Sequence, residues 1–322
     1  MVQNLQAIVA AVREHPGIRN KAPIALVADV LGRSDWQGGP GDDGAVVAAG
    51  DTTLVVGGEA LWPPFVEADP FAAGVAAVLA NVNDLAAMGA VPLAIVDTIV
   101  ASEAIARRAL EGMRHASALY QVPVVGGHLT IHDGPPAVSA FGLGQSPSGR
   151  VLSVAHAEAG QSLLLACCTE GEMRGDFPFF GSFRARGERL GADVRTLAAV
   201  AESGAAVAAK DVSMPGLVGS LAMLLECAGG RLGVTLDLDA LPRPDGVALV
   251  DWLVCFPCFA FLLCAPPGQE EDCAAPFRER GLRAEVVGTL DGSGVLRAQL
   301  GTEVATVFDL NAEPVTGLPP PG

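Results

Sequence analysis

The chain has 322 residues, of which half are hydrophobic and 17% are charged. This is enough apolar material for two packed domains, and it excludes a disordered protein. The formal net charge of −16 excludes a nucleic-acid-binding protein, because binding to phosphates requires a basic surface. An acidic surface also repels anionic membranes, but a nucleotide can still bind where Mg²⁺ lies between carboxylates and phosphates.

The cysteines indicate a reducing compartment. Most of the seven lie in apolar stretches, as expected for buried thiols of a cytosolic protein. Cys255 and Cys258 form a CxxC pair in WLVCFPCFAFLLCA, which we interpret as an apolar strand with two core thiols in preference to a zinc or redox site. The N-terminus has the pattern of an amphipathic helix, and the longest apolar run is too short to span about 30 Å of hydrocarbon. We therefore expect a cytoplasmic protein without membrane contacts.

Strands and helices alternate in the first half of the chain. Asp69 and Pro70 predict the start of a helix that runs to Met88, where Gly89 ends it. This half predicts an α/β or α+β fold with strands of mixed direction and helices on one face of the sheet. The other predicted elements are a helix at 2–14, strands at 45–50, 53–58, 92–100, 122–127 and 137–144, and a helix from Ser102 to about Tyr120.

A polar stretch at 145–160 separates the two halves. We expect an N-terminal domain over residues 1–150, a C-terminal α/β domain over 151–311, and a frayed Pro-rich tail over 312–322. The second half predicts a strand at 162–168, a Gly/Arg-rich loop at 171–189, helices at 191–208, 217–230 and near 269–280, and strands near 232–238, 257–265, 283–290 and 294–299.

Carboxylates in two segments are candidate metal ligands. GDDGAVV places Asp42 and Asp43 in a Gly-bounded turn before a strand, a pattern that is also common in ordinary turns. Asp84 is the one charged residue in a helix that is apolar on all sides and is therefore expected to be buried. A buried carboxylate must be paired, hydrogen-bonded or metal-bound. We interpret Asp84, which shares a helix face with Asn81, as a Mg²⁺ ligand, with a structural polar network as the alternative.

Two glycine-containing segments are candidate phosphate sites. In VVGGHLT, Gly126 and Gly127 allow a ligand close to the backbone, and His128 and Thr130 follow them. KDVSMPG precedes a helix, whose exposed N–H groups attract phosphate. In that segment Lys210 adds positive charge and Asp211 can join a metal cluster, although ordinary helix capping is the alternative. Four arginines at 171–189 form either an anion clamp or a solvated loop.

These motifs and their order resemble the superfamily of aminoimidazole ribonucleotide synthetase. The matching segments are GDDGAVV, DPFAAGVAAVLANVNDLAAMGAVPLA, VVGGHLT and KDVSMPGLVGSLAMLLE. The superfamily also contains formylglycinamidine ribonucleotide synthetase, thiamine-monophosphate kinase, selenophosphate synthetase and a hydrogenase-maturation carbamoyl dehydratase. The resemblance spans about residues 15–300 and is strongest to a branch of synthetase-related proteins without a named enzyme.

The resemblance implies a PurM-like two-domain fold with ATP and Mg²⁺ as cofactors. The N-terminal mixed sheet would pair in a homodimer to form a β-barrel, and the C-terminal α/β sandwich domain would close over ATP. The implied activity is a synthetase or ligase that phosphorylates an amide or carboxylate oxygen of a small-molecule substrate. The residues implied by position are Asp43, Asp84, Asp211, Asp42 and Glu59 for the metal, Asp84, His128 and Lys210 for catalysis, and Gly41, Asp42, Gly126, Gly127, Thr130, Lys210 and Gly216 for the cofactor.

The chain also departs from the family pattern. Gly127-His128-Leu129-Thr130 stand where the family often has Gly-Gly-Asp-Thr, and Met214-Pro215 stand where it often has Asp-Gly. Fewer acidic positions imply fewer or differently placed metal ions, and the absence of a Gly-Glu-Asp-Tyr-like motif near 252–264 argues against thiamine-monophosphate kinase. Two alternatives remain open: a small-molecule kinase of the same fold, and a non-catalytic nucleotide-binding subunit that works with a partner enzyme.

Overall fold

The computed structural model describes residues 4–32, 41–175, 177–228 and 231–318. Its helices are α1 (Leu5–Arg13), α2 (Pro16–Arg19), α3 (Ala25–Leu31), α4 (Pro63–Ala68), α5 (Pro70–Ala87), α6 (Glu103–Tyr120), α7 (Phe183–Arg186), α8 (Arg189–Ser203), α9 (Gly216–Cys227), α10 (Leu249–Val254) and α11 (Glu270–Arg278). Its strands are β1 (Ala45–Ala49), β2 (Thr52–Ala60), β3 (Val91–Ala101), β4 (Val124–Ile131), β5 (Ala137–Ser146), β6 (Ser162–Cys167), β7 (Glu172–Met173), β8 (Phe179–Gly181), β9 (Ala208–Asp211), β10 (Gly233–Asp237), β11 (Phe256–Pro257), β12 (Ala260–Ala265), β13 (Arg283–Asp291), β14 (Val295–Leu300) and β15 (Glu303–Asp309).

The chain forms two compact units. The five-stranded unit consists of Asp43–Arg150 and Arg186–Ala199. The seven-stranded unit consists of Met1–Asp42, Val151–Ala185 and Val200–Gly322. The sequence places residues 1–42 in the N-terminal domain, whereas here they group with the C-terminal sheet, because α1 buries Leu5, Ile8 and Val12 in that sheet's hydrophobic core.

The sheet of the five-stranded unit is mixed, as the sequence predicts. Its strand order is β1-β2-β5-β3-β4, with β3 and β4 parallel and all other neighbours antiparallel. Helix α5 packs on one face against β2, β3 and β5, and α6 packs on α5. The other face carries exposed apolar side chains, including Val56, Val96, Phe141 and Leu143.

Helix α5 follows its sequence signals closely. Asp69 accepts a hydrogen bond of 3.0 Å from the N–H of Ala72, and Pro70 occupies the first turn. The helix ends at Ala87, and Gly89 follows with a φ of 73°. Among the described residues it is the one helix long and apolar enough to cross a membrane, but 67% of it is buried in the protein, as expected of a core helix.

Two glycines bring α5 and α6 into backbone contact. A Cβ atom on Gly74 would lie 1.9 Å from the carbonyl oxygen of Ala109, and one on Gly112 would lie 2.1 Å from that of Phe71. Neither position accepts a larger residue without separating the helices. This contact fixes the position of α5, and with it Asn81 and Asp84, over the sheet.

The sheet of the seven-stranded unit has the order β15-β14-β10-β13-β6-β12-β9. Only β10 and β14 are parallel among its neighbouring pairs. All residues of β12 and of α9 are buried, and this explains the long apolar runs of the second half. A small additional sheet has the order β11-β8-β7.

Several predictions for the second half are wrong in their details. The helix predicted to reach residue 208 ends at Ser203, because residues 208–211 form β9 and pair with β12. The CxxC segment is not one strand: Cys255 follows α10 and Cys258 lies between β11 and β12, although both are buried free thiols as predicted. The C-terminal segment is not frayed up to residue 318, since Thr316 is fully buried and Val315 and Leu318 join the core.

Candidate functional site

Asp43 and Asp84 form a carboxylate pair in the five-stranded unit. Asp43 lies just before β1, and Asp84 lies on the buried face of α5 with an exposed fraction of 7%. One carboxylate oxygen of each lies within 4.8 Å of the other. Two negative charges at this distance repel each other, and a cation between them removes the repulsion.

Asn81 adds a buried oxygen next to this pair. Its Nδ2 donates hydrogen bonds to the carbonyl oxygens of Ala77 at 2.9 Å and Ala140 at 3.1 Å. Its Oδ1 is buried and has no hydrogen-bond partner among the described residues. An unsatisfied buried oxygen is costly, so this atom is a good candidate for ligand contact.

Gly57 lies beside Asn81, Asp84 and the backbone of Asp43. A Cβ atom there would lie 3.6 Å from the carbonyl oxygen of Asp43, 3.9 Å from Asn81 Oδ1 and 3.9 Å from Asp84 Cβ. Carboxylate and amide oxygens are the ligand types that Mg²⁺ accepts. The carboxylates of Asp43 and Asp84, with Asn81 Oδ1 nearby, therefore form a donor set that fits a Mg²⁺ ion.

Asp97 is a second buried carboxylate that the sequence analysis did not single out. It lies on β3 with an exposed fraction of 8%, and burial raises the pKa of its carboxyl group. The available signal is the one that identifies Asp84, namely a single charged residue in the apolar segment PLAIVDTIV. A Cβ atom on Gly127 would lie 2.7 Å from the Asp97 carboxyl carbon, so Gly127 is glycine because Asp97 packs against it.

The predicted site residues on the strands of the five-stranded sheet lie on two different faces of that sheet. Glu59 and Asp97 are both paired with Ala140, so they lie on the same face as each other, which is also the face that Gly57 presents to α5. His128 alternates with Gly127 and therefore points to the opposite face, away from α5. Within this unit, the structure brings Asp43, Asp84 and Glu59 to one face and does not bring His128 to it.

Thr130 and Gly126 accompany His128 on that opposite face. The Thr130 Oγ1 and His128 Nε2 atoms lie 3.3 Å apart, and both side chains are exposed. A Cβ atom on Gly126 would meet no atom of the described residues within 4 Å. The glycine at this position is therefore not required by packing within the protein.

Lys210 and Asp211 are adjacent in β9 and are both buried, with exposed fractions of 3% and 2%. Successive strand residues point to opposite faces, so the ammonium and the carboxylate are directed apart. Lys210 Nζ donates to the carbonyl oxygen of Gly41 at 3.5 Å. The lysine thus holds Gly41, the first residue of the GDDG turn.

Asp42 is an anchor of this turn. Its two carboxylate oxygens accept hydrogen bonds of 2.7 Å from Ser153 Oγ and from the N–H of Val154. The prediction that Asp42 is a secondary metal ligand is not favoured by this arrangement, because both oxygens already bind protein donors. Consecutive residues of a turn point in different directions, so Asp42 and Asp43 have different partners.

Two other predicted ligand-binding residues have internal packing roles. Gly216 has a φ of 69°, and a Cβ atom there would lie 2.5 Å from Val254 Cα, so α9 can begin there only with glycine. In the Arg-rich segment, Arg186 is neither solvated nor an open anion clamp. Its Nη2 lies 2.7 Å from Asp193 Oδ2 in an ion pair that is almost fully buried.

Comparison with known proteins assigns the family. Residues 41–146 match the family model for the N-terminal domain of AIR synthase related proteins, and residues 184–301 match the model for their C-terminal domain. An uncharacterized protein of Synechocystis is 35% identical over 280 residues, with 86% of each chain covered. The chain belongs to the AIR synthase-related family. An uncharacterized protein of Methanocaldococcus jannaschii is 28% identical and is covered over 99% of its length.

Longer AIR synthase-related proteins contain this chain's fold as one part. The PurL subunit of phosphoribosylformylglycinamidine synthase from Synechocystis is 26% identical, and the match covers 80% of this chain but only 37% of PurL. Among solved structures, T. maritima PurL complexed with ATP superposes with a TM-score of 0.77 at 19% identity, with 99% of this chain and 53% of PurL covered. The chain thus spans about half of that structure.

A second solved structure has a similar length. AaThiL complexed with AMPPCP and TMP superposes with a TM-score of 0.64 at 19% identity, and the match covers 88% of this chain and 96% of AaThiL. At this identity the likeness establishes the fold. The two-domain PurM-like fold with mixed sheets, expected from the sequence, is therefore confirmed.

Proposed function

We propose that the protein is an ATP- and Mg²⁺-dependent synthetase or ligase that phosphorylates an amide or carboxylate oxygen of a small molecule. The single observation that carries this proposal is the cluster of Asp43, Asp84 and the unsatisfied Asn81 Oδ1 around Gly57. A set of buried and half-buried oxygen ligands is suited to a hard divalent cation. Membership of the AIR synthase-related family and the nucleotide complexes of PurL and AaThiL support ATP as the partner of that cation.

In this proposal each predicted residue has a distinct role. Asp43 and Asp84 hold Mg²⁺, as the family pattern implies. When bound, Mg²⁺ neutralises charge on the phosphates of ATP. Lys210 fixes the Gly41 carbonyl and contributes positive charge beside the GDDG turn. Glu59, on the same sheet face as Gly57, faces the same region and binds a second cation or a substrate group.

The proposed reaction proceeds by two displacements. The substrate oxygen attacks the γ-phosphorus of ATP, the bond to the β,γ-bridging oxygen breaks, and ADP leaves. A nitrogen nucleophile then attacks the activated carbon, and the phosphorylated oxygen leaves as inorganic phosphate. The residues around Gly57 act by positioning and by charge stabilisation, the two effects on which phosphoryl transfer mainly depends.

We also propose that the protein is a homodimer through the open face of the five-stranded sheet. Val56, Val96, Phe141 and Leu143 each expose between 36% and 44% of their surface on neighbouring strands. A contiguous apolar sheet face of this kind requires a cover in water. A second copy presents the same apolar strands, and two such sheets can pair into a barrel as the family resemblance implies.

Two further functions remain alternatives within the same fold. A kinase would leave the γ-phosphoryl group on its product instead of releasing it as inorganic phosphate. A non-catalytic nucleotide-binding subunit would bind ATP without turnover. It is favoured by the placement of His128 on the sheet face away from Asp84.

Turnover with candidate amides and amines tests the proposal. The wild type and Asp84→Asn are assayed for ADP, for inorganic phosphate and for a phosphorylated product. A ligase gives equal amounts of ADP and free phosphate, and a kinase gives ADP and a phosphorylated product. ADP formation that persists in Asp84→Asn at the wild-type rate would refute the proposed site.

Asp69→Ala serves as the matched control. It removes the N-cap of the same helix, at a typical cost of about 1 kcal/mol, without changing the cluster around Gly57. The control is expected to melt at a lower temperature and to keep its activity. Loss of activity in both variants would show that helix stability, and not the Asp84 carboxylate, is what the assay detects.

A further inference from the structure

The C-terminal segment is attached to α9 by a buried carboxylate. Glu226 lies in the last turn of α9 with an exposed fraction of 6%, and its oxygens accept hydrogen bonds from the N–H of Val315 at 2.5 Å and from Thr316 Oγ1 at 2.6 Å. The N–H of Thr316 adds a contact of 3.1 Å. A buried charge needs such a set of donors, so the attachment is specific to these residues.

The same turn of α9 also supports the GDDG turn. Gly41 has a φ of 90°, and a Cβ atom there would lie 2.4 Å from Cys227 Sγ. The same position lies 3.8 Å from Leu318 Cδ1. Cys227 thus packs against one side of Gly41 and Leu318 lies beside it, and Thr316 Oγ1 accepts a hydrogen bond from the N–H of Leu318 at 3.1 Å.

These contacts form one continuous connection within the seven-stranded unit. It runs from Glu226 through Thr316 and Leu318 to Gly41. Gly41 is held in addition by Lys210 Nζ, and the neighbouring Asp42 by Ser153. Asp43, the proposed Mg²⁺ ligand, comes next along the chain.

We infer that the C-terminal segment 315–318, locked by Glu226, is a positioning element for the GDDG turn and so for the nucleotide site. Glu226 and Thr316 are positioning residues, since they act on the turn through Leu318 and Cys227. The inference deepens the proposed function and rests on it for its effect on ATP. The structural coupling of Thr316 to Gly41 depends only on the contacts described above and not on nucleotide binding.

Hydrogen–deuterium exchange of the full-length protein without ligand tests the coupling. Thr316→Val keeps the shape of the side chain but removes the hydroxyl that binds Glu226 and Leu318. We expect faster exchange in peptides containing residues 41–42, by about tenfold if one charge-assisted hydrogen bond is lost. Thr316→Ser retains the hydroxyl and is expected to restore wild-type exchange.

Glu313→Gln is the matched control on the same segment. It breaks the exposed ion pair of 2.7 Å with Arg13 and leaves the contacts of Glu226 intact. We expect little change at residues 41–42. Two results would overturn the inference. In the first, Thr316→Val exchanges faster only at residues 313–318. In the second, Glu313→Gln speeds exchange at residues 41–42 as much as Thr316→Val does. If Thr316→Val does not fold, Glu226→Gln tests the same connection, because it replaces one acceptor oxygen with a donor.

Steady-state kinetics separate the positioning role from a purely structural one. Thr316→Val is expected to raise KM for ATP by about tenfold and to change kcat little, since the turn is loosened while the reacting groups remain. An unchanged KM with a lower melting temperature would refute a role in the nucleotide site. If the wild type binds no nucleotide, the proposed function fails, while the exchange experiment still decides the coupling.

Discussion

Ser153 donates a hydrogen bond of 2.7 Å to Asp42, the residue next to the proposed metal ligand Asp43. The two aspartates of the GDDG turn therefore have separate roles. Asp42 binds Ser153 in the seven-stranded unit, and the Asp43 carboxylate lies near that of Asp84 in the five-stranded unit.

Removal of the Ser153 hydroxyl is expected to destabilise the protein. Ser153→Ala removes one hydrogen-bond donor from the half-buried Asp42 carboxylate, and loss of a hydrogen bond to a charged group costs about 1.5–3 kcal/mol. Urea unfolding of the full-length protein measures the change in the free energy of unfolding. Ser148→Ala, which alters an exposed serine, is expected to be neutral. Equal stability of the two variants would contradict the anchoring role of Asp42.

Gly74→Ala tests the close contact between α5 and α6. The new methyl group would lie 1.9 Å from the backbone oxygen of Ala109, so the helices must separate at a cost of about 1–3 kcal/mol or more. Gly126→Ala introduces the same methyl group where no atom of the part of the chain that the structure describes lies within 4 Å, and it is expected to leave the melting temperature unchanged. Thermal unfolding that shows equal effects would mean that α5 and α6 do not touch at Gly74.

Asp97 makes stability depend on pH. Burial raises its pKa in the folded protein above the unfolded value, so the folded state binds more protons, and stability falls as pH rises through the folded pKa. Asp97→Asn removes this penalty and is expected to be more stable than the wild type at pH 7, by about 1.4 kcal/mol for each unit of pKa shift. The advantage is expected to disappear toward pH 4. A variant equally or less stable at pH 7 would contradict the effect of burial.

Phe141→Glu tests the proposed dimer. The side chain lies in the centre of the open sheet face with 44% of its surface exposed, and two buried glutamates in a symmetric interface would be strongly unfavourable. Light scattering is expected to give a dimer for the wild type and a monomer for the variant. Leu110→Glu, on α6, alters an equally apolar exposed residue and is expected to leave the dimer intact. A monomeric wild type would refute this interface.

The sequence predicts those parts of the fold that are determined by local signals. Asp69, Pro70 and Gly89 define α5, because capping and helix termination depend on a few neighbouring residues. The short strand β9 is not predictable in this way, since it exists through its pairing with β12, about fifty residues further along the chain. The helix predicted over residues 191–208 is therefore too long and reaches the first residue of β9.

The site is predictable in composition but not in arrangement. The isolated charge of Asp84 in an apolar helix marks it as a buried polar residue, and the structure places Asp43 next to it. Which of two adjacent turn residues faces the site, and on which side of the sheet His128 lies, depend on strand register and turn geometry. Sequence spacing alone does not determine either of them.

Calorimetric titration with AMPPCP is the most direct test of the central claim, that Asp43 and Asp84 hold the Mg²⁺ through which a nucleotide binds. We predict that the wild type and Asp69→Ala bind AMPPCP in the presence of Mg²⁺ and much more weakly in EDTA. Loss of a charged ligand in Asp84→Asn is expected to weaken binding by at least about tenfold with Mg²⁺ present. Equal affinity of the wild type and Asp84→Asn, with and without Mg²⁺, would contradict the account.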